Sequence, residues 1–223
     1  MKLLALDTST EYLSLALWLD GEIVDRDLLA GQAHSQLILP MLGEMLEASG
    51  LTLTELDSIA FGEGPGSFTG LRIGCGIAQG LAFGAGLPAV GVSTLLALAQ
   101  QTDAKRVIAC LDARMGEVYH AAYMRDGQDW LVVHEPGLYL PNDVPAVTGE
   151  GWYGIGSGWE AYEDTLRQRC AGQMGGFARQ AFPHARDIAD LAAKIFARGE
   201  AKSASDIAPV YIRNKVALKM SER

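Results

Sequence analysis

The start of the chain sorts its apolar residues as strands require. Leu3-Leu4-Ala5-Leu6 is a continuous apolar run, Leu13 to Leu19 is mostly apolar, and Asp20-Gly21 is a hairpin signal before Glu22 to Asp27. From His34 to Ser49 the apolar positions change to helical spacing. Ser58-Ile59-Ala60-Phe61 then leads into a glycine-rich loop that opens a helix near Thr69. Pro88 to Val92 reads as a buried strand and Thr94 to Gln101 as a helix, so the first part of the chain spells βββαβαβα.

The opening pattern returns. Leu3-Leu4-Ala5-Leu6-Asp7 is echoed by Ile108-Ala109-Cys110-Leu111-Asp112, 105 residues later, and each is followed by a second strand and a glycine turn, at Gly21 and at Gly127. Strands are expected near Val107 to Leu111, Glu117 to Tyr123 and Trp130 to Tyr139, then a glycine cluster over Gly154 to Gly158 and a helix. Ile188, Leu191, Ala192, Ile195 and Phe196 form one helical stripe stopped by Gly199, and that helix should lie against one lobe. The expected division is a first lobe over 1–104 and a reduced second lobe over 105–223, ending in this helix and a tail. The fold class is α/β, each lobe a mixed sheet with flanking helices.

Charge and cysteine content narrow the function. Eighteen basic against 27 acidic residues give a net charge of −9, which disfavours autonomous binding to a phosphate backbone. Arg213, Lys215, Lys219 and Arg223 form a small basic exception. Three widely spaced cysteines without a C-x-x-C pair fit a reducing compartment, and Asp7 interrupts the first apolar run before a signal peptide could form, so the expected location is the cytoplasm. The uncharged stretch between Arg72 and Asp103 is long enough to span a bilayer. Its many glycines, with Pro88, break it, so it reads as core and no membrane association is expected.

Two turns and one loop could carry chemistry. Asp7-Thr8-Ser9-Thr10 and Asp112-Ala113-Arg114-Met115-Gly116 each place a carboxylate at the end of a strand. Alone, either is an ordinary polar turn. As a pair facing a cleft they resemble the actin-like, sugar-kinase and Hsp70-type ATPase (ASKHA) superfamily, which makes Asp7, Ser9, Thr10 and Asp112 the nucleotide candidates. A stand-alone ATPase or phosphotransferase using Asp7, Thr10 and Asp112 with Mg²⁺ is the alternative function. Against it, the side chains of Ala113-Arg114-Met115 stand where phosphate needs bare backbone. The loop from Gly62 to Gly74 has neither a Walker lysine nor dinucleotide spacing. No histidine pair has metal-ligand spacing, and no nucleophile motif occurs, so no catalytic residue and no metal site are assigned.

Two helices carry more than a core requires. Leu37, Ile38, Leu39, Met41, Leu42, Met45 and Leu46 spread over an arc of about 200°, roughly twice a single core-facing stripe. The next helix repeats glycine at intervals of four, at Gly70 and Gly74 and at Gly76, Gly80 and Gly84. Each costs about 1 kcal/mol relative to Ala. Close approach by another helix is the simplest need such a face could serve.

Five segments resemble the bacterial TsaB (YeaZ) family across nearly the whole chain: Leu4 to Thr10, His34-Ser35 before a Leu-Pro-Met helix, Gly64 to Gly74, Leu111 to Tyr119, and Pro209 to Asn214. The resemblance implies a non-catalytic partner in making N6-threonylcarbamoyladenosine beside the tRNA anticodon. It implies pairing with the paralogue TsaD, which holds the metal and transfers the threonylcarbamoyl group, pairing with itself when alone, and the ATPase TsaE as a further component. The TsaD metal motif HxxxH is not matched here, because Ile38 stands four residues after His34. No cofactor belongs to this chain on that reading; ATP and Mg²⁺ enter only through the partner complex, and so does tRNA. The implied interface is the first-lobe helices: His34, Leu37, Ile38, Met41, Leu42, Met45, Thr69, Arg72, Ile73, Gly76, Ile77 and Gly80. Glycoprotein peptidase is an older reading of the same superfamily branch, and the missing metal pair counts against it.

Overall fold

The computed structural model describes residues 1–213. Lys215, Lys219 and Arg223 of the basic tail, and Asn214 of the last motif, lie outside the described residues. Strands β1 (Lys2–Asp7), β2 (Tyr12–Leu19) and β3 (Glu22–Leu29) form an antiparallel meander. Its first turn is the one the sequence signals: Asp20 and Gly21 both take positive φ, as a twisted two-residue hairpin requires. After α1 (His34–Ala48), β4 (Ser58–Gly64) pairs parallel with β1. After α2 (Phe68–Ala85), β5 (Ala89–Ser93) pairs parallel with β4. Ser67 caps α2, its Oγ accepting from Gly70 N at 3.3 Å, and Gly86 stops it in a left-handed conformation (φ 68°). The sheet order is β3-β2-β1-β4-β5.

Helix α3 (Thr94–Gln100) leads to the second sheet: β6 (Arg106–Arg114), β7 (Glu117–Asp126), β8 (Asp129–Tyr139), β9 (Trp152–Ile155) and β10 (Met174–Ala178). Between β9 and β10 lie the short helices α4 (Ser157–Ala161) and α5 (Glu163–Arg169). The order is β10-β9-β6-β7-β8, with the same antiparallel meander and the same two parallel additions as the first sheet. The echo in the sequence is a structural duplication. Strand β10 completes it and was not foreseen, because Met174-Gly175-Gly176-Phe177-Ala178 neither alternates nor carries a β-branched residue.

The helices are exchanged between the sheets. One face of the first sheet packs Leu4, Leu6, Leu13, Leu15 and Leu17 against α1 and α2. Its other face packs Leu3, Ala5, Ala16 and Ala60 against α6 (Ala185–Ala197), which follows the second sheet in the chain. In return α3, which follows the first sheet, packs Leu95, Leu98 and Ala99 against Val107, Ala109 and Leu111 of the second. Small residues on both sides, Ala185, Ala189 and Ala192 over Ala5 and Ala16, let α6 approach its sheet closely. The exchange fixes the two lobes to each other and leaves a cleft between the ends of β1 and β6.

Candidate functional site

The cleft, about 1000 Å³, lies between the two Asp-ended turns and is lined by Ser9, Thr10, Ser67, Asp112, Arg114 and Tyr211 among others. Asp7 does not line it. Its side chain is 1% exposed, and Oδ1 accepts from Ser9 N at 3.0 Å and from Ser9 Oγ at 2.8 Å. Oδ2 is buried without a partner, facing Gly62, where any Cβ would collide with the carboxylate. Burial pushes the Asp7 carboxyl up to about 7, against the opposing pull of the Ser9 hydrogen bonds and of His184. A magnesium ligand needs the reverse, an ionised group open to the cleft.

The rest of the first turn is committed to structure. Thr8 Oγ1 donates to Gly70 O at 2.7 Å, and Ser9 O accepts from Ser67 N at 2.7 Å, so the turn is tied to the start of α2. Gly70 and Gly74 are bare because Thr8 occupies the space a Cβ would need. Thr10 Oγ1 accepts from Tyr12 N at 3.2 Å, and Thr10 lines the cleft.

The second turn is filled rather than open. Arg114 and Met115 both adopt left-handed backbone (φ 61° and 57°), and their side chains project where a phosphate-binding turn would present glycine. Asp112 Oδ1 accepts from Arg114 N at 2.9 Å and Oδ2 pairs with the Arg114 guanidinium at 3.2 Å. Ser9, Thr10 and Asp112 are therefore brought to the two sides of one cleft, with Asp7 buried behind the first turn, and Asp7, Ser9 and Asp112 act as turn-forming groups. They do not fit a magnesium nucleotide held by the first carboxylate and the two turns. Among the described residues no three His, Cys, Asp or Glu side chains meet as a metal site.

The outer face of α1 and α2 divides the twelve interface residues. Ile38 (0% exposed), Met45 (1%) and Leu42 (6%) are buried in this chain's own core, and His34 (5%) is buried beside it. Helix α1 is covered by the first sheet on one side and by α2 on another, which uses much of its wide apolar arc. His34 Nε2 is hydrogen-bonded to Tyr12 O at 3.2 Å. Leu37, Met41, Ile73 and Ile77 are half-buried at the border, and Thr69, Arg72, Gly76 and Gly80 are exposed. A Cβ added at Gly76, Gly80 or Gly84 would meet nothing within 4 Å among the described residues, so none of those residues needs these glycines bare. Phe83, 83% exposed, and Leu39, 50% exposed, complete the face. Phe83 was missed in the sequence because the uncharged run around it reads uniformly as core.

Two sheets of one strand order, exchanged helices and a cleft between Asp-ended turns define a two-lobed α/β protein. A family model described as TsaD, tRNA N6-adenosine threonylcarbamoyltransferase, matches residues 28–217. The chain is 43% identical to the tRNA threonylcarbamoyladenosine biosynthesis protein TsaB of Escherichia coli K12, over 98% of this chain and 97% of that protein. It is 39% identical to the TsaB of Haemophilus influenzae, over 98% and 96%. The solved structure of YeaZ from Pseudomonas aeruginosa superposes with a TM-score of 0.87 at 38% identity, covering 94% of this chain and 99% of that one. The chain belongs to the TsaB (YeaZ) family.

Proposed function

We propose that this chain is a non-catalytic subunit of the machinery that makes N6-threonylcarbamoyladenosine on tRNA, next to the anticodon. Its work is to pair with a TsaD paralogue, and with a second copy of itself when alone, through the outer face of α2 and the half-buried border of α1. TsaE joins the pair, and tRNA, ATP and Mg²⁺ are reached only through the assembly, in the cytoplasm. No helix among the described residues is long and apolar enough to cross a membrane.

The observation that carries this reading is the row of bare positions Gly76, Gly80 and Gly84, which face open space beside the exposed Phe83. Glycine at exposed helix positions weakens a helix by about 1 kcal/mol each, a cost that only close approach from outside would offset. The burial of Asp7 and the filled second turn support a non-catalytic role, because both remove what an ATPase of this fold uses. The test is Gly80→Leu. The variant should fold as wild type by circular dichroism and fail to form the TsaD complex on light scattering; a complex of unchanged mass overturns the proposal. The stand-alone ATPase reading makes the opposite forecast for calorimetry of the isolated chain with ATP and Mg²⁺, where we expect no binding heat.

A further inference from the structure

The last described residues run back across the mouth of the cleft and touch both lobes. On the first lobe, Val210 N donates to Glu63 O at 2.7 Å at the end of β4. Tyr211 lies against Phe68, ring centroids 5.4 Å apart, and its hydroxyl accepts from Arg72 Nε at 2.9 Å. The Arg72 guanidinium covers the Phe68 ring at 3.5 Å and lies 5.5 Å from the centroid of Tyr211. Two residues further on, Arg213 reaches the second lobe. It pairs with the Glu117 carboxylate at 2.6 Å and donates to the carbonyl oxygens of Ala113 at 3.1 Å and Arg114 at 3.4 Å. The Arg213 side chain is 13% exposed and Glu117 29%, so this ion pair is partly sheltered from solvent screening.

We propose that residues 209–213 are a strap that couples the outer face of α2 to the interlobe cleft. Val210 is its pivot on β4, Tyr211 is held by Phe68 and Arg72, and Arg213 holds the tip of the β6–β7 hairpin, which forms one wall of the cleft. A guanidinium binds a carboxylate more strongly than a phenol oxygen. A carboxylate of a molecule docking on α2 that takes the Arg72 guanidinium side-on, through Nε and one Nη, displaces the Tyr211 hydroxyl from Nε. Losing Arg72 frees Tyr211, slackens Arg213 two residues away, and lets the hairpin move. The coupling is a property of the isolated chain and stands whether or not α2 carries the partner proposed above.

No hydrogen bond or ion pair among the described residues joins Arg72 to the hairpin directly, and the strap is the short hydrogen-bonded connection between them. Hydrogen–deuterium exchange of the full chain tests this with Arg72→Gln on one lobe and Arg213→Gln on the other, Glu117→Gln replacing the latter if it fails to fold. Both ends should raise exchange at the amides of residues 113–116 about tenfold, with β1 amides unchanged. Tip exchange at the wild-type rate in Arg72→Gln, alongside acceleration in Arg213→Gln or Glu117→Gln, would show independent contacts and overturn the proposal. Wild-type tip exchange in every variant would overturn it as well.

Discussion

Helix α2 carries five glycines that the sequence alone makes equivalent, and the structure splits them into two kinds. Gly70 and Gly74 face inward, where Thr8 sits in the space of a side chain; Gly76, Gly80 and Gly84 face outward, where none of the described residues sits. The inward pair is explained by this chain's own packing. The outward three are not, and the contrast teaches that a row of small residues becomes evidence for a partner only after the molecule's own contacts have been subtracted.

The contrast breaks most sharply at Gly70. A Cβ there would land on the main-chain carbonyl oxygen of Thr8, and neither backbone can turn away without moving β1 or α2. Gly70→Ala should therefore cost more than about 3 kcal/mol, outweighing the gain of about 1 kcal/mol in helix propensity. Gly74→Ala meets the Thr8 hydroxyl at 2.6 Å, a side-chain atom that can rotate at the loss of its bond to Gly70 O, and should cost about 1–2 kcal/mol. Urea denaturation of the two variants gives both values. Equal costs would mean that the inward contact is looser than described.

A second inward contact is sharpened by pH. Asp7 is sealed by Gly62 as Thr8 is by Gly70, and its row continues across the sheet through Ser14 to Asp27, beneath the start of α6. There His184 pairs with Asp27 at 2.9 Å, Arg186 with Asp25 at 3.6 Å, and Asp187 is buried. Burial raises both Asp7 and Asp187 from 3.8 to about 7 in the folded protein. A carboxyl with a raised folded value binds its proton more tightly folded than unfolded. Its contribution is complete below about 3.8 and is lost as pH rises through about 7. His184, raised chiefly by its hydrogen bond to Asp27, pushes the same way. Thermal melts should show stability falling between pH 5 and pH 8. Asp7→Asn, which keeps the shape without the charge, should remove on the order of 2–4 kcal/mol of that fall. A variant whose melts track wild type at every pH would place the ionised form of Asp7 in the fold.

How far all this was legible in the sequence follows from what a pattern can encode. The β1–β2–β3 meander was readable because strand runs and the Asp20-Gly21 turn are local signals, and the duplication was readable because the same run ending in Asp occurs twice. The stripe of α6 told which residues face a sheet but not which sheet, since periodicity fixes a direction and not a neighbour. The width of the α1 arc could not be apportioned for the same reason: Ile38, Leu42 and Met45 look like surplus until α2 is laid beside them. Asp7 looked like a ligand because nothing in sequence says that Gly62, 55 residues away, is the lid over its free oxygen.

The smallest expected effect is the most discriminating for the outward glycines. Gly80→Ala adds one methyl group into open space on a helix, so the isolated chain should gain about 0.5–1 kcal/mol from helix propensity and a less flexible unfolded state. For a chain of this size that is a rise of roughly 1–4 °C in Tm. In the same variant the TsaD complex should weaken, because a backbone seated against Gly80 has no room for the methyl. The two readouts move in opposite directions only if the position is free within the chain and occupied in the assembly. A lower Tm would mean the face is already covered from inside. A higher Tm with undiminished pairing would mean that the partner seats elsewhere and that the glycine row answers some other need.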